Sequence, residues 1–320
     1  MSKAVKIWLI VAASLVLLGA VIFCGVMVVL NWDFGKLGTS KMATNSYDIS
    51  ESFENIKVDT TEAEIVFLKS ADENCKVICY ERENMTHTVE VVDGTLNVKV
   101  NDTRKWYQYI GVFSSHPMLT VYLPEGEYCS VAVKGSTGAV SIPKEFEFAD
   151  MDISLSTGGV KNHASVSNSA KIKTTTGHIT IEGASVGSLE LSVSTGAVEL
   201  SSVECEENIE IKVSTGKTRL TDVSCKSLIS DGSTGDVILK NVIASDKFSI
   251  ERSTGDVKFD ACDAGEISVK TDTGDVKGSL LTEKVFVAKS DTGKVEHPKT
   301  ASGGMCEITT DTGNINITLS

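Results

Sequence analysis

The dipeptide Thr-Gly recurs ten times in this chain, with Gly at 138, 158, 177, 196, 216, 235, 255, 274, 293 and 313. Every spacing is 19 or 20 residues. Ten copies in one register form an internal repeat, and a repeat this short is restricted to stacked architectures. The residue before each Thr is Ser or Thr in the first seven copies, and Asp272, Asp291 and Asp311 in the last three.

The flanks define the unit. Two residues after the Gly stand Val140, Val160, Ile179 and Val198, and the column stays Val or Ile apart from Thr218. Five before it stand Val133, Ile153, Ile172, Leu191 and Ile211, with Ser230 as the polar exception. Apolar and polar residues alternate on both sides, the period of a half-buried strand. Each copy therefore predicts strand, Thr-Gly turn, strand and a short connection. A unit of this size cannot bury its own apolar face, but stacked copies can. The expectation is an all-β chain: a β-solenoid of about ten 19–20-residue coils over 131–320, about 45–50 Å long at the usual strand spacing.

The N-terminus has a different character. Residues 1–6 carry two lysines and no acid, and 7–30 form an uncharged, mostly apolar run of 24 residues. About 20 such residues cross a bilayer. The lysines predict a cytoplasmic N-terminus, with Trp8 and Trp32 at the interfaces, so 31–320 is expected to be extracytoplasmic. A cleaved signal has a shorter apolar region and a small-residue site. Lipidation at Cys24 would need a small residue where Phe23 stands. An uncleaved single-pass helix fits better than either. Residues 31–47 read as a polar stalk and 48–130 as a β-rich cap. Within the cap, residues 59–65 look like a repeat turn without its Gly.

Ser233-Thr234-Gly235-Asp236-Val237, Ser253-Thr254-Gly255-Asp256-Val257 and Asp272-Thr273-Gly274-Asp275-Val276 follow a membrane helix and a β-rich entry ending in Leu123-Pro124. This combination resembles a bacterial putative-adhesin domain family of unknown function, over about residues 48–320. The resemblance implies surface exposure, in some members in envelope-stress settings. It supplies neither a ligand nor a catalytic residue.

Charge narrows the function. The chain carries 30 basic and 43 acidic residues, net −13. A nucleic-acid binder needs the reverse balance. Acid is concentrated in two columns, Asp236/Asp256/Asp275 and Asp272/Asp291/Asp311. Asp272, Asp275 and Asp291 are the candidate calcium ligands, since calcium takes several carboxylate oxygens. The competing and simpler reading is turn chemistry, with each Asp side chain bonding nearby backbone N–H groups.

A polysaccharide lyase would need a base, cations and a cleft. The chain has four arginines, and its five histidines share no sequence motif with a carboxylate or nucleophile. Cys205 and Cys225, each nine after a repeat Gly, should stack on adjacent coils within disulfide range. Trp106, Tyr107 and Tyr109 sit in the one irregular aromatic stretch and are candidate ligand contacts. The final strand, 315–319, is expected to leave an open edge through which copies self-associate.

These observations favour a membrane-anchored, non-enzymatic surface, adhesion or scaffold protein with a glycan or protein partner. A carbohydrate-active enzyme and a sensory partner of a membrane signalling system are the alternatives.

Overall fold

The computed structural model describes residues 2–33, 41–72, 74–106 and 116–320. Helix α1 (Lys3–Val29) is capped by Ser2, whose Oγ accepts from Val5 N at 3.4 Å. It is long and apolar enough to cross a membrane, with mean hydropathy 2.8 in its most apolar window. Asn31 and Trp32, at φ 52° and 56°, end it in the left-handed region.

The repeat folds as its alternation requires. Strands β1 (Met42–Ile49), β2 (Asn55–Thr60), β3 (Glu64–Lys69), β4 (Cys75–Arg82), β5 (Met85–Val92), β6 (Thr95–Asp102) and β7 (Met118–Leu123) build the entry region. Strands β8 to β18 then fill 126–254, followed by β19 (Val257–Thr273) and β20 (Val276–Leu280). The last four are β21 (Lys284–Thr292), β22 (Val295–Glu296), β23 (Gly304–Thr312) and β24 (Ile315–Leu319). Neighbouring coils pair in parallel and in register: Val131↔Met151↔Ala170↔Leu189↔Ile209↔Leu228↔Phe248↔Ile267 is one buried column. The result is a β-solenoid of about ten turns.

The Thr-Gly corners need their glycines for two reasons, backbone angle and close approach, with Gly274 needing its glycine for the second alone. Gly216 has φ 142°, and a Cβ there would stand 1.5 Å from Gly196 O. The coils are thus closer at this corner than any side chain permits. A second corner lies six residues later, where Gly183, Ser202, Asp222, Asn241 and Ala261 all have φ between 51° and 66°. Asn241 Nδ2 donates to Asp222 Oδ1 at 2.8 Å along that corner.

The coils do not stack in chain order at the ends. β23 lies between β19 and β21, with Ile267↔Cys306↔Phe286 in register. β24 lies between β20 and β22, with Val276↔Ile315↔Val295. The expected open edge at 315–319 is closed at Ile315 and Asn316, where β22 pairs, whereas Ile317, Thr318 and Leu319 pair with β20 alone among the described residues. Among the described residues, the end coil is β21–β22, where His297 stacks on Phe286 with ring centroids 5.1 Å apart. The entry region mirrors this. β2–β3, earlier in the chain, lies between the coil of β8 (Gly126–Thr137) and β9 (Val140–Ile142) and the outer β6–β7 coil. At either end, the coil nearer the chain terminus lies between two others, and pairing on both faces, which stops short of Ile317 in β24, protects it from fraying.

The turn at 61–63 takes the place of a Thr-Gly corner: Thr137 N donates to Thr61 O, and Ala63 O faces Gly138. Residues 42–49 belong to the sheet rather than to a stalk, since β1 pairs antiparallel with β4 from Met42↔Arg82 to Ile49↔Cys75.

Candidate functional site

A trough of about 900 Å³ runs along the rod over several coils. Its floor is the register column Tyr128, Phe148, Val166, Val186 and Cys205. Four steps between coils make it roughly 20 Å long. Glu54, Glu127, Glu147, Glu204 and Glu206 line it, and among the described residues no lysine or arginine does. Glu127 and Glu147 are register neighbours. The sequence signal was available: the coils of Gly138, Gly158, Gly177, Gly196 and Gly216 each offer Glu or Ser eight to ten residues after the Gly.

The predicted site residues lie elsewhere. Asp272 and Asp291 are on coils separated by that of Asp311, because Thr273 and Thr292 both pair with Thr312. Lys289 Nζ is 2.7 Å from Asp291. Asp236 and Asp256 each accept the backbone N–H of the next aspartate in their column, at 3.2 and 3.1 Å, and Asp275 accepts that of Asn314 at 2.8 Å. Lys258 and Lys277 stand beside Asp256. Burial pushes the Asp256 carboxyl up, but these donors and cations outweigh it and hold it low. Trp106 is exposed, whereas Tyr107 and Tyr109 fall outside the described residues. Cys205 and Cys225 are buried free thiols on successive coils.

The arginines have no open cleft. Arg82 and Arg104 both bond Glu62, and Arg104 also grips Asp102 at 2.6 and 2.9 Å. Burial pushes the Glu62 carboxyl up, but the bonds from Arg104 and Arg82 more than reverse this and lower it. Arg252 lies inside the solenoid and donates to Thr218 Oγ1, Ser230 Oγ, Ser230 O and Glu251 O. The two polar exceptions in the apolar columns are thus its partners, and Gly232 makes room beside its guanidinium. All four acceptors are neutral oxygens, so burial lowers the guanidinium to about 10. Arg219 is exposed.

One constellation was not visible in the sequence. His87 bonds Glu81 Oε2 through Nδ1 at 2.7 Å and Thr60 Oγ1 through Nε2 at 3.0 Å. Thr–His–Glu in this order has the connectivity of a hydrolase triad. Yet Thr60, His87 and Glu81 are 4%, 2% and 0% exposed, so a substrate cannot reach them. The signal was the hairpin that brings 81 and 87 together across Arg82↔Met85.

The sequence profile of the family described as Toastrack DUF4097 matches residues 53–211 and 206–320. Solved structures similar in shape include a "putative adhesin" from Bacteroides fragilis, 15% identical, covering 88% of this chain and 99% of its own, with TM-score 0.39. Another from Parabacteroides distasonis is 11% identical, covers 76% and 97%, and has TM-score 0.44. One from Parabacteroides merdae is 13% identical, covers 75% and 97%, and has TM-score 0.40. No curated protein matches the chain.

Proposed function

We propose that this chain, which belongs to the Toastrack DUF4097 family, is a non-enzymatic surface protein that presents a rigid β rod from a single N-terminal membrane helix. One observation carries the proposal: the triad-like group is sealed inside the fold, while a long open trough on the rod is lined by glutamate and serine. A trough without a cation cannot stabilise the negative charge that develops in polysaccharide cleavage. It can hold an extended partner that brings positive charge, and electrostatic complementarity would steer that partner in. The rod behind it is stiff because each coil is hydrogen-bonded to the next. These are the properties of an adhesion or scaffold surface. In this proposal α1 spans the membrane with Lys3 and Lys6 on the cytoplasmic side, which leaves the rod outside.

The test uses the full chain in detergent micelles, immobilised and exposed to a lysine-rich peptide and to an acidic polysaccharide. The peptide should be retained at low salt and lost when Glu147→Lys and Glu204→Lys are combined. Release of new sugar ends from the polysaccharide, or retention unchanged in the double variant, would overturn the proposal.

A further inference from the structure

We propose that Cys79, Glu81 and His87 form a three-ligand zinc site beneath strand β1. Cys79 and Glu81 are alternate residues on the inward face of β4, and His87 follows the tight turn into β5. One ligand atom from each lies within 4.8 Å of the other two, and all three residues are buried. Thiolate, imidazole and carboxylate together suit zinc rather than calcium or magnesium, which select all-oxygen sets.

The surroundings match what zinc ligands require. A metal-bound histidine usually gives its other ring N–H to an oxygen, which fixes its orientation. Here His87 Nε2 is 3.0 Å from Thr60 Oγ1, leaving Nδ1 turned to the cluster. The carboxylate is also held: Asn45 Nδ2 donates to Glu81 Oε1 at 2.6 Å, and His87 N donates to Oε2 at 2.7 Å. Tyr47 OH donates to His87 O at 3.0 Å. Tetrahedral zinc, at about 2.0–2.3 Å from its ligands, needs the ligand atoms roughly 3.3–3.6 Å apart. The Nδ1–Oε2 separation of 2.7 Å must therefore open slightly as zinc replaces the proton between them. Asn45 lies opposite Cys79 on β1, which is paired to the sheet on one side among the described residues. That strand, with its partly exposed Asn45, is the route of entry for the ion.

The test strips the full chain in micelles with a chelator and titrates it with Co2+, then with Zn2+. One Co2+ per chain should produce a sulfur-to-cobalt charge-transfer band with tetrahedral visible absorption, and Zn2+ should displace it. Cys79→Ser should abolish the band, while Cys129→Ser should keep it. Thr60→Val should weaken affinity about 10–100-fold, as loss of a partner behind a histidine ligand does. Absence of the band, its persistence in Cys79→Ser, or unchanged affinity in Thr60→Val would overturn the assignment. If Cys79→Ser does not fold, judged by its β circular dichroism, Thr60→Val decides alone.

Discussion

Gly216→Ala tests the corner on which the whole stack depends. The substituted Cβ would lie 1.5 Å from Gly196 O and 2.6 Å from its carbon, where real Cβ contacts stay beyond 3.0 Å. The two coils must then part locally by about 1.5 Å. Parting them breaks Gly196 N→Thr215 O at 2.9 Å and Val198 N→Lys217 O at 3.0 Å. Each lost and unreplaced bond costs about 1–2 kcal/mol, and alanine in this backbone region adds about 1–3 kcal/mol. The expected loss is about 3–7 kcal/mol. Gly183→Ala is the control. It has φ 66° and open space around it, and Ser202, Asp222, Asn241 and Ala261 already hold equivalent positions. Its cost is only the left-handed conformation, about 1 kcal/mol. Urea unfolding of the full chain in micelles, followed by circular dichroism, measures both, with hydrogen exchange locating the opened coils. Losses within about 0.5 kcal/mol of each other, the range expected of ordinary surface changes, would refute the steric account.

Three other predictions follow from the interior and the ends. Arg252→Ala leaves Thr218 and Ser230 without their donor and should cost about 3 kcal/mol or more by thermal melting; Thr218→Val/Ser230→Val/Arg252→Leu together should recover most of it, as apolar replacement of buried polar groups does. Glu62 has a depressed pKa, so its contribution is fully present above its ordinary value of 4.5 and is lost as pH falls below it. Glu62→Gln should flatten that acid limb in a melting-temperature titration. Deleting residues 304–320 removes β23 and β24, the partners of β21 and β22, so residues 284–303 should become protease-sensitive; stacking in chain order would leave them protected.

The coils were legible because the apolar columns and the Thr-Gly corner repeat in register. Their order at the ends was not, since every coil offers the same ladder and local sequence does not say which one follows. A signal did exist. The coil of Gly293 carries His297 four residues after its Gly, where most inner coils carry Ile, Leu or Phe, and terminal coils are expected to be atypical. Thr218 and Ser230 showed as exceptions without a reason until Arg252 was found between them. The second corner stayed hidden because Ser, Asp, Asn and Ala share only a backbone angle there. The Cys79–Glu81–His87 group depends on a hairpin register, which places residues six apart face to face, and no motif announces it.

The proposed outward display of the rod can be tested at one atom. Cys129 is exposed, whereas the other cysteines are buried, apart from Cys24 in α1. Membrane vesicles of known sidedness are treated with a membrane-impermeant maleimide, using Cys129→Ser as the blank. Labelling in right-side-out vesicles and protection in inverted ones is the result expected of a rod held outside by α1. Labelling in inverted vesicles, with protection in right-side-out ones, would contradict it.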